Sequence, residues 1–555
     1  MFRKRNYLTY FILALIFFVA LSVRFYKLGE FPVGFHIDEA SKGYTAYSLL
    51  KTGRDDNNNF LPLYIDIFGD NSPSGYHYIS IIPIALLGLT EFATRFPGAL
   101  FGAFSVLAIF FLSYSIFEDR KVSILSALFL AISPWHINLS RASSEAIIAL
   151  FFIILGFSLI IWSLRTPVMK HIIAGTTILS ISFFFYQTPR LFVPLLFLIL
   201  LIFFLRIWKV EMNSKYKKVF IYCFLLLSLL DFVLIFIVPG GSGRFSQVNI
   251  FSYPETRLVM EEQIREDGVA GMPTIVTRFF HNKGINFFLA YLSNYLEYFS
   301  WNFLFIKGLP QWYFVPNIGV MYLVELPFVL YGVLLLAFHK SKIDKIPLIW
   351  LVLAPVAAAT AIDINNLQRA LVMFPILEII VAYGLVYLFT NAIKHGRRTL
   401  LFFVTFLFIL NISYFFHQYF VQAKVHRPWY RNNGFLQMMK VVNENYNNYD
   451  KIVVTTSTGG TYPLIQFYSR YNPKLYQQEG SPKDAAYSGF GKFFFVPIDC
   501  PSLKINKKLP KADSIIYINR GICSQDVNYR ETIIHREDGT EAFRIVYGDE
   551  KIIKK

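Results

Sequence analysis

A short acidic cluster interrupts the apolar N-terminal part of the chain. The run His36-Ile37-Asp38-Glu39 follows the first apolar segment, and a second run, Asp70-Asn71-Ser72-Pro73, comes later in the same loop. Carboxylates at a bilayer surface are costly unless they are solvated, paired or used in chemistry. A carboxylate can take the proton of an attacking hydroxyl group. The acidic runs therefore indicate either the basic group of a reaction centre or a solvated pair near a helix start.

Positive charge that could complement these carboxylates lies at or near the starts of several apolar segments. A departing anion is stabilised by Arg, Lys or a metal ion, and the candidates here are Arg95, Arg141, Arg190 and Arg369. Arg95 can equally be an interfacial anchor that snorkels to the headgroups. Arg141 and Glu145 are four residues apart on one helix face, so they can also pair with each other.

Two histidines flank the acidic runs. His36 precedes Asp38, and His77 follows Asp70 in the same loop. Both are candidate ligands of a divalent metal ion beside Asp70, although a lone histidine is more often an ordinary polar contact. Oxygen-ligand metal sites have no fixed spacing across loops, so the sequence leaves the metal open.

The elements that must position these residues are predicted to be membrane helices. Of the 555 residues, 55% are hydrophobic and 18% aromatic, whereas average soluble domains are about 45–50% apolar. Apolar runs close to the length that spans a bilayer occur at 8–23, 95–116, 122–138, 145–164, 171–188, 190–208, 218–238, 318–338, 346–361, 370–390 and 398–420. The sequence therefore predicts a polytopic α-helical membrane protein with about eleven transmembrane helices.

Charge in the gaps between these runs predicts the orientation. With a cytoplasmic N-terminus, all six inside gaps contain Lys or Arg, as the positive-inside rule requires. This places most of the net charge of +17 at the lipid bilayer rather than in a basic stripe, so no nucleic-acid partner is predicted. The predicted location is the plasma membrane, with an extracytoplasmic C-terminus.

Three large segments then lie outside the membrane. Residues 1–420 are predicted to form the transmembrane module, with the first outer loop at 24–94 and a large outer loop at 239–317. Within the first loop, the helix candidate from Tyr76 to Leu89 is too short to span comfortably and is predicted to lie at the interface. Residues 421–555 are predicted to form a small extracytoplasmic α/β domain.

The pattern of the C-terminal segment supports an α/β domain. Helices are predicted at Phe435 to Tyr446 and Tyr462 to Arg470, and strands at Lys451 to Thr455, Phe493 to Pro497 and Ser514 to Ile518. A hairpin is predicted around Asp538-Gly539. Cys500 and Cys523 both fall in this segment, where a disulfide is permitted, but their spacing leaves pairing open. Cys223 lies in an apolar run and is expected to be inert packing.

Two further features bear on function. Asp231 and Glu378 lie inside apolar runs, where they are either helix-packing contacts or part of a transport path. The loop Thr458-Gly459-Gly460-Thr461 lacks a following Gly-Lys-Ser/Thr, so no P-loop and no nucleotide cofactor are predicted.

Five motifs, in this order, resemble those of the GT-C superfamily enzymes related to dolichyl-phosphate-mannose protein mannosyltransferases and the lipid A aminoarabinose transferase. They are Asp38-Glu39, Asp70…Pro73…Tyr76-His77-Tyr78, Thr94-Arg95-Phe96-Pro97-Gly98-Ala99-Leu100-Phe101-Gly102, Ser140-Arg141…Glu145 and Asn366-Leu367-Gln368-Arg369-Ala370-Leu371…Pro375. No single motif is specific, but their order over more than three hundred residues is. The chain is identified on this basis as similar to GT-C glycosyltransferases.

The resemblance implies roles for individual residues. The first acid of the pair, Asp38, would be the general base, with Glu39 beside it in the catalytic site. Asp70 would help to build the site and bind the metal ion. Relatives often have Glu-Lys-Pro-Pro where this chain has Asp70-Asn71-Ser72-Pro73. The lysine that could hold a lipid phosphate is therefore absent, and Arg369 is the first choice for that role, followed by Arg141 and Arg190, with Arg95 as a further phosphate contact.

The resemblance also implies a reaction. A sugar would pass from a polyprenyl-phosphate-linked donor to the hydroxyl group of a lipid, glycan or protein acceptor at the outer face, with inversion. A lipid-linked glycan transporter or flippase is the alternative from a different class, although the chain shows no paired repeats with broken helices. A glycan polymerase or ligase is a closer chemical alternative. An oligosaccharyltransferase is disfavoured because the tail lacks a Trp-Trp-Asp signature.

Overall fold

Helices make up most of the chain. The computed structural model describes residues 7–67, 70–207, 214–243, 249–251, 254–308, 315–479, 487–503 and 508–551. The α-helices of the region before the C-terminal sheet are α1 (Tyr7–Phe25), α2 (Ile37–Thr52), α3 (Gly75–Leu87), α4 (Glu91–Phe117), α5 (Arg120–Ile132), α6 (Pro134–Ser140), α7 (Glu145–Arg165), α8 (Met169–Ser182), α9 (Pro189–Ile207), α10 (Ser214–Phe232), α11 (Pro254–Val269), α12 (Thr274–Phe280), α13 (Lys283–Glu297), α14 (Leu326–Ala337), α15 (Ile346–Ala358), α16 (Phe374–Lys394), α17 (Arg398–His417) and α18 (Ala423–Val425).

Short segments of other helical geometry adjoin these helices. Five-residue π-helices occur at Val233–Ile237, Asn302–Ile306 and Gln418–Gln422, and 3₁₀-helices at Leu323–Glu325, Ile343–Lys345, Leu371–Met373 and Pro428–Arg431. A two-stranded antiparallel hairpin, which the sequence does not signal, lies in the first outer loop between β1 (Tyr64–Ile67) and β2 (Asp70–Pro73).

Among the described residues, fewer helices have the length and hydropathy of a membrane span than the apolar runs predict. A helix lies in each of the eleven runs, but six described helices are long and apolar enough to cross a membrane, or seven if α5 and α6, bent by 56°, form one span. Helices α8 and α15 have 14 and 13 residues. At about 1.5 Å per residue they cover about 20 Å, less than the roughly 30 Å hydrocarbon core. The structure is therefore a polytopic helical bundle, and the count of eleven is not confirmed.

The C-terminal part of the chain is built around a six-stranded sheet. Its strands are β3 (Lys451–Thr455), β4 (Gly489–Phe490), β5 (Phe493–Val496), β6 (Ile515–Arg520), β7 (Tyr529–His535) and β8 (Glu541–Lys551), in the order β4-β5-β3-β6-β8-β7. The central strand β3 runs parallel to β5 and β6, while β8 is antiparallel to β6 and β7. Helices α19 (Phe435–Asn445), α20 (Thr461–Ser469) and α21 (Pro473–Glu479) accompany it.

Burial explains why β3 lies at the centre. Four of its five residues are buried. A parallel strand that is covered on both faces favours a continuous apolar run, and Ile452-Val453-Val454 is such a run. The core of the sheet continues into the first outer loop, since Phe35 and Tyr44 pack in the same apolar cluster as Ile452 and Phe467. The strands and helices predicted for this segment are observed within a few residues of their predicted bounds.

The three cysteines differ in their bonding. Cys500 and Cys523 form a disulfide, and Cys223 is buried and free. The bridge joins the loop after β5 to the loop after β6, so it ties two neighbouring connections at one end of the sheet. The pairing that the sequence left open is therefore present, and Cys223 is placed as the apolar pattern predicts.

Candidate active site

Helix α2 carries the first acidic motif at its N-terminus. His36 is the N-cap residue: its ring Nδ1 accepts a hydrogen bond from the Asp38 N–H at 3.3 Å, and the Glu39 carboxylate accepts one from the His36 N–H at 3.2 Å. Such a reciprocal arrangement satisfies backbone donors that a helix start leaves open. The helix ends at Gly53, whose φ of 69° lies in the left-handed region that glycine favours. The structure thus places His36 in a capping role.

The two acids of the motif point in different directions. Adjacent residues of an α-helix are about 100° apart around its axis. The Asp38 side chain is 55% exposed and faces a cavity, whereas the Glu39 side chain is 3% exposed and lies in the protein interior. The acid pair is therefore divided between the cavity and the core.

Glu39 is held by two buried guanidinium groups. Arg95 Nε donates to Glu39 Oε1 at 2.9 Å, Arg431 donates to Oε2, and the Ser143 hydroxyl donates to Oε1 at 3.1 Å. Burial alone would raise the pKa of Glu39, but the charges of Arg95 and Arg431 and the hydrogen bonds from Arg95 and the His36 N–H lower it to about 2. Glu39 is thus an ionised anchor, and its position does not support the predicted place beside the reacting groups.

The cavity beside Asp38 has a volume of about 420 Å³. It lies between α2, the β1–β2 hairpin, the turn between α8 and α9, and the segment around Arg369. Its lining residues are Asp38, Lys42, Ile67, Ser72, Pro73, Glu145, Tyr186, Gln187, Thr188, Leu191, Ala357, Thr360, Ala361, Asn366, Gln368 and Arg369. Two predicted site residues that are far apart in the sequence, Asp38 and Arg369, therefore share one cavity.

Arg369 presents an incompletely satisfied cation to this cavity. Its side chain is 10% exposed, and Nη2 donates to Asp363 at 2.8 Å. The turn before it is fixed by Asn366, whose side-chain oxygen accepts from the Gln368 and Arg369 N–H groups. Arg369 Nη1 is buried and has no hydrogen-bond partner among the described atoms. A buried unpaired donor is costly, which makes this nitrogen a candidate contact for an anionic ligand.

Lys42 is a site residue that the sequence reasoning missed. It lies one turn after Asp38 on α2, it is buried, and its Nζ contacts the Glu145 carboxylate and donates to the Ser143 carbonyl at 3.0 Å. Nζ also lies 5.3 Å from the centre of the Tyr76 ring. The i, i+4 spacing from Asp38 places both residues on one helix face. This spacing was the sequence feature from which Lys42 could have been predicted as a site residue. Lys42 and Glu145 therefore both line the cavity as an ion pair.

Three predicted phosphate contacts lie elsewhere. Arg95, Arg141 and Arg190 are all buried, and none is among the described residues that line the cavity. Arg141 donates to the carbonyls of residues 23, 24, 26 and 31 and to the Tyr419 hydroxyl. Arg190 donates to the carbonyl of residue 183 and stacks over a tyrosine ring. Guanidinium groups carry five donors. Those of Arg141 bind mainly backbone carbonyls and those of Arg95 bind Glu39 and carbonyls, whereas Arg190 Nε and Nη1 are buried with no hydrogen-bond partner among the described atoms.

The pairing between Arg141 and Glu145, which the sequence left open, is not made among the described side chains. Glu145 pairs with Lys42, while Arg141 makes the backbone contacts just described. The break between α6 and α7 separates the two residues, so the i, i+4 relation of a continuous helix does not apply to them.

The fold and its N-terminal sequence resemble known glycosyltransferases. Residues 14–239, less than half of the chain, match the sequence model of the PMT family, dolichyl-phosphate-mannose-protein mannosyltransferase. The structure of ArnT from Cupriavidus metallidurans bound to undecaprenyl phosphate matches with a TM-score of 0.53 at 10% identity, over 97% of this chain and 97% of that one. These proteins are GT-C glycosyltransferases. The chain has the GT-C fold.

A second solved GT-C structure agrees. The Archaeoglobus fulgidus oligosaccharyltransferase, in complex with Zn and sulfate, matches with a TM-score of 0.50 at 13% identity, over 82% of this chain. The chain spans 61% of the length of that enzyme. No curated protein sequence matches the chain. The predicted GT-C resemblance is confirmed, and the likeness to ArnT includes the C-terminal sheet as well as the helices.

A metal site is not assembled by the described side chains. Among them, no group of three His, Cys, Asp or Glu residues lies close enough to hold an ion. The backbone of Asp70 lies in β2, but its side chain lies outside the described part of the structure. His77 is buried on α3, and it is not among the described residues that line the cavity. The divalent metal ion and these ligands therefore stay predictions, and no reaction step is derived through them.

The acids that suggested a transport path lie deep in the GT-C bundle. Glu378 on α16 is fully buried and accepts a hydrogen bond from Trp135 Nε1 at 3.2 Å. Asp231 on α10 is 8% exposed. Neither is among the described residues that line the cavity beside Asp38. The contact with Trp135 is the helix-packing interaction that the sequence left open for Glu378.

Proposed function

We propose that this protein is a glycosyltransferase that moves a sugar from a polyprenyl-phosphate-linked donor to an acceptor hydroxyl group. One observation carries the proposal: an exposed carboxylate, Asp38, and a buried cation with an unpaired donor, Arg369, face the same cavity. The N-terminal match to the mannosyltransferase family supports the reaction class. The undecaprenyl phosphate bound to ArnT supports a lipid phosphate as the donor carrier.

The reaction requires a base and an anion site on opposite sides of the sugar. The Asp38 carboxylate takes the proton of the acceptor hydroxyl group as its oxygen attacks the anomeric carbon. The bond from that carbon to the phosphate oxygen breaks, and the polyprenyl phosphate leaves with the electron pair. Arg369 stabilises the charge on the departing phosphate. A single displacement of this kind inverts the anomeric configuration.

The orientation of the protein follows from the same proposal. Nucleotide sugars are cytoplasmic, so an active site at the outer face needs a donor that crosses the membrane attached to a lipid. We place the protein in the plasma membrane as a multi-pass protein, with a cytoplasmic N-terminus and an extracytoplasmic C-terminal α/β domain. The acceptor is a lipid, a glycan or a protein.

A transfer assay tests the function directly. Purified protein in nanodiscs is supplied with polyprenyl-phosphate sugars carrying a radioactive sugar and with membrane extract as the acceptor source. We expect label to pass from the lipid to an acceptor and free polyprenyl phosphate to accumulate in equal amount. Movement of the donor between leaflets of proteoliposomes without any cleavage of the sugar–phosphate bond would contradict the proposal and favour the transporter.

Replacing Arg369 with Gln tests the phosphate site in the same assay. We expect kcat/KM for the donor to fall by about 10-fold to 100-fold, because a charge-assisted contact to the phosphate is lost. Arg369→Lys should retain part of the activity, since it keeps the charge but not the planar fork. Arg257→Gln, at an exposed arginine paired with Glu261, is the matched control. Equal donor kinetics for Arg369→Gln and wild type would remove Arg369 from the site.

A further inference from the structure

A second cavity lies in the C-terminal part of the chain and takes no part in the reaction described above. It has a volume of about 370 Å³, within the range of about 300–1,000 Å³ of ligand pockets. It opens at the edge of the sheet where β3 and β6 end and β8 begins. Its lining residues are Trp429, Asn432, Asn433, Phe435, Ser457, Thr458, Arg520, Gly521, Ile522, Arg536, Glu541, Ala542 and Phe543. We call it the sheet-edge pocket.

The lining combines an exposed aromatic ring with small polar groups. Trp429 is 50% exposed, and the hydroxyl groups of Ser457 and Thr458 come from the loop after β3. That loop has open space beside it, since a Cβ at Gly459 would meet no atom within 4 Å. A pyranose ring has an apolar C–H face that packs on an indole and hydroxyl groups that need hydrogen-bond partners. This composition suits a carbohydrate.

The sheet-edge pocket also has charged side chains in its lining. Arg536 Nη1 is used by the Thr540 hydroxyl and the Glu541 carbonyl, whereas its Nε is buried with no hydrogen-bond partner among the described atoms. Arg520 contacts Asp499 at 3.3 Å and keeps a side chain that is 35% exposed. The Glu541 carboxylate accepts from Arg544 at 2.7 Å. The Glu541 carboxylate is thus paired with Arg544, and Arg520 is paired with Asp499 but one-third exposed. Arg536 Nε and the exposed part of Arg520 are the groups that can meet an anionic ligand.

The wall of this pocket touches the start of helix α2, which carries Asp38. Asn432 Nδ2 donates to the Phe35 carbonyl at 3.2 Å. Gly460 packs so closely on Ile37 that a Cβ there would lie 1.9 Å from the isoleucine Cγ2. The 3₁₀-helix that bears Trp429 also bears Arg431, which pairs with Glu39. The pocket is therefore held in a fixed position relative to the proposed base.

We propose that the sheet-edge pocket binds an acidic carbohydrate, a sugar bearing a carboxylate or a phosphate group. Trp429 stacks on the sugar ring, and Arg536 and Arg520 bind its acidic group. The binding itself is independent of the transfer reaction. The pocket wall adjoins the helix that carries Asp38, so the bound sugar is part of the acceptor. This second step rests on the proposed function.

Binding of three probes to the full-length protein in nanodiscs tests the proposal. The probes are digalacturonic acid, glucose 6-phosphate and the neutral disaccharide maltose, titrated by calorimetry. We expect at least one acidic probe to bind more tightly than maltose by about tenfold or more, the gain from a charge-assisted hydrogen bond. The two acidic probes distinguish a carboxylate from a phosphate as the preferred group. Failure of both to bind, or binding of maltose with equal affinity, overturns the proposal.

Variants assign the binding to this pocket. Trp429→Ala and Arg536→Gln should each weaken binding of the preferred acidic probe by about tenfold. The controls are Trp301→Ala, which removes another half-exposed tryptophan, and Arg257→Gln, which removes an exposed arginine. Both should bind as wild type does. Unchanged binding in Trp429→Ala and Arg536→Gln, with thermal unfolding equal to wild type, overturns the pocket assignment.

The Asp38→Asn variant separates this inference from the proposed function. It should bind the acidic probe as tightly as wild type, since Asp38 does not line the sheet-edge pocket among the described residues. Normal transfer by Asp38→Asn together with pocket-dependent probe binding would refute the catalytic assignment and support the pocket. Loss of transfer in Asp38→Asn with no probe binding by wild type would support the catalytic assignment and refute the pocket.

Discussion

Asp38→Asn is expected to lower kcat for sugar transfer by about 10³-fold, the scale of a general base. The amide keeps the size of the side chain but cannot accept the proton of the acceptor hydroxyl group. Because the Asp38 side chain is 55% exposed at the cavity, the substitution removes no buried charge, and folding should be unaffected. The measurement is the initial rate of label transfer with purified, equally folded proteins, together with KM for the donor, which should change little.

The control for this prediction is another exposed acid of the first outer loop. Glu30→Gln removes a carboxylate that is 65% exposed and pairs with Lys27, and it should transfer at the wild-type rate. Asp38→Glu should retain more activity than Asp38→Asn, because a carboxylate displaced by one methylene is still a base. If Asp38→Asn transfers within a factor of about two of wild type, a value far below the usual contribution of a base, then Asp38 is not the base.

Glu39→Gln is expected to affect stability rather than chemistry. The substitution leaves the Arg95 and Arg431 guanidinium groups buried without their shared counter-charge. Breaking a buried ion pair from one side costs about 3–5 kcal/mol. The free energy of unfolding in detergent should fall by that amount, while Glu30→Gln should change it by less than about 0.5 kcal/mol.

The double variant Glu39→Gln/Arg431→Gln checks the mechanism of this loss. It should be less destabilised than the sum of its two single variants, because the contact between Glu39 and Arg431 is lost in each single variant and can be lost only once in the double variant. Strict additivity of the two losses would show that Glu39 and Arg431 do not interact. Arg431 belongs to the segment that leads into the C-terminal sheet, so the same pair fixes that domain against helix α2.

The Glu39 pair also predicts how stability depends on pH. The pKa of Glu39 is lowered from 4.5 to about 2 in the folded protein, so the unfolded chain binds the proton more readily. The stabilisation is fully present above about pH 4.5 and is lost as the pH falls towards 2. Unfolding followed between pH 6 and pH 2 should show this loss in wild type and a smaller one in Glu39→Gln. Parallel curves for the two proteins would assign the acid sensitivity to other groups.

Local patterns explain why much of the fold was predictable. The helical runs, the strand Lys451–Thr455 and the hairpin around Asp538-Gly539 are encoded by short-range periodicity and turn residues. Helix lengths were less predictable, because an apolar run shows where a helix lies but not where it bends. The break between α5 and α6 at Ser133 and Pro134 is an example, since proline disfavours a continuous helix at that point.

The sequence could not predict which charged residues pair with each other across the fold. Arg431 was not singled out in the sequence, because no spacing rule links it to Glu39, nearly four hundred residues away. Lys42 was within reach of such a rule, being one turn from Asp38, but its contact with Glu145 depends on how α2 packs against the start of α7. Equally, no pattern distinguishes arginines that bind backbone carbonyls, such as Arg141, from one that faces a cavity.

The class of protein could be predicted from the amino-acid sequence: a polytopic helical membrane chain with a C-terminal α/β segment and an ordered set of motifs that resembles GT-C enzymes. Composition, periodicity and motif order are properties of the chain and need no contacts. Which charged groups meet could be seen only in the folded chain. Asp38 faces a cavity, whereas Glu39 lies in the core. Arg369 lines the same cavity. Arg95, Arg141 and Arg190 are buried and are not among the described residues that line it. The physical reason is that a buried charge must find a partner, and the partner is fixed by packing between elements that are distant in the chain.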